Sequence, residues 1–392
     1  TNGFDADVVF GPAVGVDDAV TWTYVVSNTS STAIADAVVV DDQGVTVDCD
    51  VDGDGVFDGV NVVPLMVPGG SVTCEGSGFA TAGQYENTAT VVGDPVLPDP
   101  ATCDCDLDDP TTWPTDDPSL YVPALRAVVD PVTGEPVIDP VTGEPVLEPL
   151  PPVEDADPSH YFGYVASVDI EKATNGFDAD VVPGPAIDVD DPVTWIYVVT
   201  NTSNVALVDA SVVDDQGVTV DCDVDGDGVF DGVNVVPLLQ PGGSVTCEGT
   251  GVATAGQYEN NSSVVADPVL PDPTTCDCDL FDPATWPSDP GLFTPVPVIV
   301  VDPVTGDPVI DPVTGEPVVE AHGPVSDEDP SHYFGDAPGL GIEKATNGFD
   351  ADVVFGPAVG VDDAVTWTYV VSNTSSTAIA DAVVVDDQGV TV

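Results

Sequence analysis

The chain repeats itself. Thr1-Asn2-Gly3-Phe4-Asp5-Ala6-Asp7 recurs at Thr174 and again at Thr346, 173 and 172 residues apart, and residues 1–47 are identical to residues 346–392. The 392 residues are therefore one full repeat, a diverged second and the opening of a third. Units in series stabilise one another through the contacts between neighbours. The chain accordingly reads as a stretch of a longer tandem array, with copies of itself or adjacent repeats as the first partners expected. Serial copies suit a fibre better than a catalyst.

Composition divides each repeat in two. Residues 1–93 and 165–266 alternate apolar and polar side chains: Trp22, Tyr24 and Val26 against Thr21, Thr23 and Val25, then Ala35 to Val40, Val72 to Cys74 and Tyr85 to Val92. A period of two marks half-buried strands, and Val favours the pleat. Gly, Asn and Asp turns between these short runs predict a β-sandwich. Residues 94–164 and 267–336 are Pro-rich and carry the nine-residue motif Asp130-Pro-Val-Thr-Gly-Glu-Pro-Val-Ile138, which recurs from Asp139, Asp302 and Asp311. Regular Pro removes ladder donors, and Thr-Gly-Glu reads as a turn. Extended or hairpin arms are expected there, packed on the sandwich or reaching beyond it. Residues 337–392 open a third sandwich, and the first is expected to lack its opening strand. The predicted fold class is all-β: tandem β-sandwiches with Pro-rich arms between them.

Charge narrows the partners. Seventy Asp and Glu stand against three Lys and Arg, a net charge of −67. Phosphate binding needs clustered cations, so nucleic acid is excluded, as is electrostatic docking on anionic lipid. The longest nearly apolar stretch, around Val296 to Val301, is far short of the ~20 residues of a membrane helix, and no membrane insertion is expected in this segment. An apolar fraction of 42% still allows buried cores. So much like charge repels itself unless neutralised. Bound divalent cations and a very salty solvent are the two ways open.

A calcium site is the sharpest chemical expectation. Asp50-Val-Asp-Gly-Asp-Gly-Val-Phe-Asp58 recurs as Asp223 through Asp231. Asp50, Asp52, Asp54 and Asp58 fall at loop positions 1, 3, 5 and 9, with Gly55 at 6 and the Val56 carbonyl at 7. Asp223, Asp225, Asp227, Val229 and Asp231 repeat that set. Position 12 is Asn61 instead of a bidentate Glu, and no flanking helices are evident. The pattern therefore resembles the calcium loops of dockerin and thrombospondin-type repeats more than an EF-hand pair. For Asp5, Asp7, Asp17 and Asp18, and for their equivalents Asp178, Asp180, Asp190 and Asp191, an exposed turn and a metal site stand equally.

Each full repeat carries four Cys, an even count that implies disulfides in a secreted β protein. Cys49 flanks the acidic loop and Cys74 lies on the next strand, so Cys49–Cys74 and Cys222–Cys247 are the expected pairs. Cys103 and Cys105, like Cys276 and Cys278, either bond to each other or staple the arm elsewhere. Their Cys-Asp-Cys spacing does not suit zinc.

Several ordered motifs together resemble a known family. Val193-Thr-Trp-Ile-Tyr-Val-Val-Thr-Asn-Thr202, Val212-Val-Asp-Asp215, Pro241-Gly-Gly-Ser-Val-Thr-Cys247 and Gly256-Gln-Tyr-Glu-Asn260 are similar to the prokaryotic "conserved repeat domain". These are immunoglobulin-like modules of giant surface proteins, related in fold to Cna-B and SdrD-type adhesin repeats. The resemblance covers about 95 residues of each repeat and implies tandem immunoglobulin-like β-sandwiches in an extracellular or cell-surface stalk. It does not extend to the Pro-rich half.

Lys occurs only at Lys172 and Lys344, both within Ile-Glu-Lys-Ala. By parity Val168, Ile170 and Lys172 share one face, Val208, Ala210, Val212 and Asp214 another, and Tyr258, Asn260 and Val264 a third. A buried ammonium needs a partner. The resemblance implies an isopeptide bond between Lys172 and Asn260 assisted by Asp214, and an ion pair of Lys172 with Asp214 is the plainer alternative. Asp41 and Asn87 are the counterparts in the first repeat. His160 and His332 sit in Asp-Pro-Ser-His-Tyr-Phe-Gly, expected to cap the junction with the next sandwich. None of the three His joins a catalytic pattern and no phosphate loop occurs, so no enzyme is expected. The expected function is a structural segment of a long extracellular prokaryotic filament or adhesin stalk, with calcium as cofactor. The alternative is a cell-surface module binding a glycan or protein receptor, for which an aromatic cluster around Trp113 and Trp286 would be the mark.

Overall fold

A computed structural model describes residues 1–7, 10–276, 278–280, 282–302, 308–353 and 355–392. The described chain is almost entirely strand and loop, with single-turn 3₁₀ segments only in the arms. Among the described residues no helix is long and apolar enough to cross a membrane. Two compact units are present: one of residues 1–166 with 269–287 and 291–323, and one of residues 167–268, 288–290 and 324–392.

The second unit contains a complete two-sheet sandwich. One sheet runs Phe177–Asp178, Val168–Thr174, Pro192–Asn201, Ser244–Val252, Val220–Cys222; the other runs Ala186–Asp188, Val325–Asp336, Gly256–Pro271, Ala206–Asp214, Val235–Leu239. Alternation in Pro192–Asn201 puts Val193, Trp195, Tyr197 and Val199 inward, where they meet Leu207, Val212, Val236, Val264 and Tyr333 of the facing sheet. Cys222 and Cys247 stand directly opposite each other and are joined. One parity expectation fails: Asp209 has φ 52° and the chain skips a pairing there, so Leu207 instead of Val208 faces the core. Residues 337–392 add a separate three-stranded sheet of Phe349–Asp350, Leu340–Thr346 and Trp367–Asn373.

The first unit repeats this plan with one strand position open. Its larger sheet runs Ala13–Gly15, Val153–Tyr164, Gly83–Pro98, Ala33–Asp41, Val62–Met66, and its smaller one Ala19–Ser27, Ser71–Phe79, Asp48–Asp50. Cys49 and Cys74 are opposite and bonded, as are Cys103 with Cys105; Cys276 and Cys278 form a like bridge. Among the described residues no strand of this unit takes the place that Val168–Thr174 holds in the second.

The arm boundaries expected at 94–164 and 267–336 need correction at both ends. The strand begun at Gly83 runs on to Pro98, and Val153–Tyr164 and Val325–Asp336 are full members of the sandwiches. Asp-Pro-Ser-His-Tyr-Phe-Gly is therefore sandwich strand, not a cap. Pro158 and Pro330 sit within these strands, where the pairing tolerates the missing donor. His160 and His332 are buried, each placing Nδ1 3.0 Å from a carbonyl, of Ala6 and Ala179.

The nine-residue motifs fold as hairpin-like turns: Val129 bridges Pro136 and Ile138 bridges Pro145, and Leu125–Ala127 pairs antiparallel with Leu147–Pro149. Val137 N–H donates to the Val128 carbonyl, Val146 to Val137 and Val128 to Val146, each at 2.8 Å, so two turns and the segments flanking them close into a ring of three hydrogen bonds. Val300, Val309 and Val318 repeat the same cycle. Each described turn is held by an Asp whose carboxylate accepts a local N–H, as Asp130 does from Val132, and by Gly at positive φ, as at Gly134. Of the expected motifs, residues 303–307 of the one starting at Asp302 lie outside the described residues. In the first unit, Pro297–Ile299 packs against Ala13–Gly15, and the His322 ring meets Tyr164 edge-on at 5.5 Å.

The Cys222–Cys247 bridge closes a loop of 25 residues. Cys222→Ala with Cys247→Ala is expected to cost about 3 kcal/mol of stability in urea unfolding, since the bridge restricts the unfolded chain. An unchanged unfolding midpoint would show that packing alone holds that edge.

Candidate functional site

Strand Val168–Thr174 owes its position to its inward alternation of Val168, Ile170, Lys172 and Thr174, all buried. One edge pairs with Pro192–Asn201 in register, Lys172 opposite Tyr197. On the other edge the peptide donors go to carboxylates of the facing sheet: Ile170 N–H to Asp327 Oδ2 at 3.0 Å and Lys172 N–H to Asp329 Oδ2 at 2.6 Å. The strand is thereby stitched between the two sheets.

At its centre Lys172, Asp214 and Asn260 converge, as the parity of their strands predicted. The Lys172 and Asp214 side chains and Asn260 have no solvent exposure. Asp214 Oδ2 accepts from Lys172 Nζ at 2.8 Å, Asn260 Nδ2 at 2.7 Å and the Tyr197 hydroxyl at 2.9 Å. Amine and amide thus lie within two hydrogen-bond lengths of each other through one oxygen. Nζ also donates to the Asn260 carbonyl at 3.3 Å, while Asn260 Oδ1 is buried with no partner. Burial pushes the Lys172 ammonium below its ordinary pKa, opposed by its hydrogen bond to Asp214. Burial chiefly, with the Asp214 charge, pushes the Tyr197 phenol up, and Tyr258 beside it to about 12. Tyr197 was not singled out in the sequence, although its first-repeat counterpart Tyr24 stood in the alternation with Trp22.

The same site occurs twice more with one member missing. In the first unit Asp41 Oδ2 accepts from Asn87 Nδ2 at 2.6 Å and Tyr24 at 2.9 Å, with no Lys. In residues 337–392 Asp386 Oδ2 accepts from Lys344 Nζ and from Tyr369 at 2.6 Å, with no Asn.

The acidic loops fold as turns around their first Asp. Asp50 Oδ1 accepts from Gly53 and Asp54 N–H, and Oδ2 from Gly55 N–H, where φ is 86°. Asp50, Asp52 and Asp58 bring carboxylate oxygens within 4.8 Å of one another, as do Asp223, Asp225 and Asp231. Asp54 and Asp227 fall outside these groups, their carboxylates turned to the Val56 and Val229 N–H groups. Three carboxylates on a short exposed loop are an all-oxygen, hard donor set that fits calcium.

The weaker acidic set resolves differently from expectation. Asp178 and Asp180 group with Glu171, not with Asp190 and Asp191, and Glu343, Asp350 and Asp352 form the like group in the third repeat. Glu171 was missed because its strand and the Asp178 turn become adjacent only through the antiparallel pairing of Thr174 with Phe177. In the first unit Asp7 faces Asp5 and Asp157, not Asp17 or Asp18. Partial burial, then neighbouring carboxylates, raise the pKa of Glu171, Asp180 and Asp329.

No protein-family model matches the sequence, and no curated protein matches it. Among solved structures, a chain titled "BspA_C_WT" is 10% identical with a TM-score of 0.20, covering 65% of this chain and 91% of that chain. So slight a likeness carries no argument about this protein.

Carboxylates with raised folded pKa values bind protons more tightly in the folded state. Their stabilising contribution is complete below the ordinary carboxylate pKa and is lost as pH rises through the raised values. In buffer free of divalent cations, the urea midpoint should therefore rise on acidification from neutral toward that range, and Asp180→Asn should flatten the rise. A midpoint insensitive to pH in both proteins would contradict this.

Proposed function

We propose that the chain is a non-enzymatic structural segment of an extracellular, surface-attached stalk or filament, in which each complete sandwich is tied across its core by a Lys–Asn amide bond. The observation that carries this reading is the buried convergence of Lys172, Asp214 and Asn260 on one oxygen, linking strands of opposite sheets. Asp214 takes a proton from the Lys172 ammonium, and the neutral amine attacks Asn260 Cγ. Asp214 then hands that proton to the departing amide nitrogen and accepts the second proton of the attacking nitrogen. The products are the Lys172–Asn260 amide, ammonia and protonated Asp214. The bond joins the first strand of the sandwich to a late one and closes a loop of 88 residues, so tension along the chain cannot peel those strands apart.

The acidic loops would hold calcium through Asp50, Asp52 and Asp58, and through Asp223, Asp225 and Asp231. A bound ion would supply positive charge to a chain with almost none of its own. Arg126, Lys172 and Lys344 are already paired with Glu148, Asp214 and Asp386. The receptor-binding alternative has less support: Trp113 and Trp286 are buried, with indole N–H groups donated to the Asp106 and Asp279 carbonyls.

Intact-mass measurement of the folded chain should show the loss of one ammonia, absent in Lys172→Ala. By analogy with a disulfide over a comparable loop, losing the link should cost about 4 kcal/mol. A full mass would leave Lys172 as an ion-paired core residue and remove the reading's main support. Chelation at constant high salt should lower the melting temperature, and Asp223→Asn with Asp225→Asn should reduce calcium uptake measured by calorimetry. No chelator effect and no uptake would rule out calcium at these loops.

A further inference from the structure

Four donors converge on the Asp214 carboxylate. Oδ2 takes Lys172 Nζ, Asn260 Nδ2 and the Tyr197 hydroxyl, and Oδ1 takes the Gln216 N–H at 3.0 Å. Lys172 and Asn260 are the groups that would react, and the other two donors hold the carboxylate. Of the four, only the Tyr197 hydroxyl can also accept, because ammonium, amide and backbone nitrogens offer no acceptor.

Tyr197 reaches Asp214 through a gap in the neighbouring strand. The side chain is fully buried. A Cβ at Gly249, on Ser244–Val252, would lie 3.0 Å from the Tyr197 hydroxyl, 3.3 Å from its Cε2 and 2.6 Å from Val218 Cγ1, closer than side chains normally approach. Gly249 has no positive φ, so close packing, not backbone conformation, calls for glycine there. The pairing recurs. Tyr24 donates to Asp41 at 2.9 Å, and a Cβ at Gly76 would lie 3.3 Å from that hydroxyl.

We propose that Tyr197 is a positioning residue for the Lys172–Asn260 bond, its hydroxyl seated on Asp214 by the space left at Gly249. The inference rests on the Lys–Asn chemistry proposed above and assigns what orients its acid–base group.

Before reaction the hydroxyl donates to the carboxylate and, with Gln216, fixes Oδ2 between amine and amide. When Asp214 takes the ammonium proton it becomes a donor, and the Tyr197 oxygen can accept from it by rotating its own hydrogen. The buried acid is thus paired in both charge states. Burial and the Asp214 charge push the Tyr197 phenol pKa up, so Tyr197 stays neutral throughout. Ammonia leaves, the amide forms and Asp214 keeps one proton, with Tyr197 unchanged. The ring has a separate part: Lys172 Nζ lies 5.2 Å from its centroid, a cation–π contact that Phe retains. Tyr197→Phe therefore removes the hydroxyl alone.

The test uses the full 392-residue chain, recovered unlinked from inclusion bodies in urea, refolded by dilution with a glutathione couple and sampled by intact mass. Wild type is expected to lose one ammonia, at a rate that falls at acid pH as Asp214 protonates. Tyr197→Phe should slow the loss about tenfold or more, since a loosened group misplaces the reacting atoms. It should also move the acid limb to higher pH, because a hydrogen bond to the carboxylate holds its pKa down. The titratable groups around Asp214 are Lys172, Tyr197 and Tyr258, with Asp215 and Asp329 next. All but Tyr197 are common to both proteins, so the difference between the limbs reports the hydroxyl. Gly249→Ala should slow the loss as well, and combined with Tyr197→Phe it should add nothing further. Formation of the Cys222–Cys247 bridge in each refolded variant separates slow bonding from failure to fold. Equal rates and limbs in linked wild type and Tyr197→Phe, or Gly249→Ala at the wild-type rate, overturn this proposal alone. A wild-type chain that keeps its full mass after refolding overturns the bond itself, and this role with it.

Discussion

A fully buried ammonium in a β-sandwich is the constraint around which this structure is arranged. Lys172 lies on a strand whose other inward residues are Val168, Ile170 and Thr174, and desolvating its charge is very unfavourable unless the surroundings answer it. The answer is Asp214, which enters from the opposite sheet and also gathers Asn260 and Tyr197. Three donors on one carboxylate oxygen fix the spacing of the two sheets at that depth. The orphaned Asn260 Oδ1 shows that hydrogen bonding alone does not satisfy the site. The amide bond proposed above would remove the charged amine and change the unsatisfied amide oxygen's environment together.

Among the described residues, the full set of Lys, Asp and Asn comes together once. Where Lys, Asp and Asn are all present, the strand is stitched into a complete sandwich by Asp327 and Asp329. In the first unit the counterpart carboxylates, Asp155 and Asp157, border a groove. In residues 337–392 the Lys strand keeps its neighbour in the sheet, with Leu340 and Ile342 exposed. Completion of the site and completion of the core are one event, because a single strand supplies both.

Acidity sets the other half of the design. With almost no cations in the chain, the acidic loops satisfy their first carboxylates through backbone N–H groups, as Asp50 and Asp223 do. That leaves the outward oxygens of three Asp per loop crowded together. The ring-forming turns of the arms use the same device, an Asp bonded to its own loop, so Pro-rich sequence becomes ordered without a hydrophobic core.

The sequence by itself determined the repeat, the all-β class, the cross-strand disulfide pairs and the inward parity of Lys172 and Asn260, because these follow from identity and a period of two. It also marked the Asp50 and Asp223 loops, since ligand spacing is local. Tertiary structure alone decided the rest. Pro158 and Pro330 read as arm, yet their segments are core strands, because a sandwich edge can accept a missing donor. The bulge at Asp209 exchanged Leu207 for Val208, and the meeting of Glu171 with Asp178 and Asp180 depended on a pairing no linear pattern announces. Closure of the nine-residue turns into rings is likewise a long-range fact, fixed by hydrogen bonds between Val residues that the sequence shows only as a repeat.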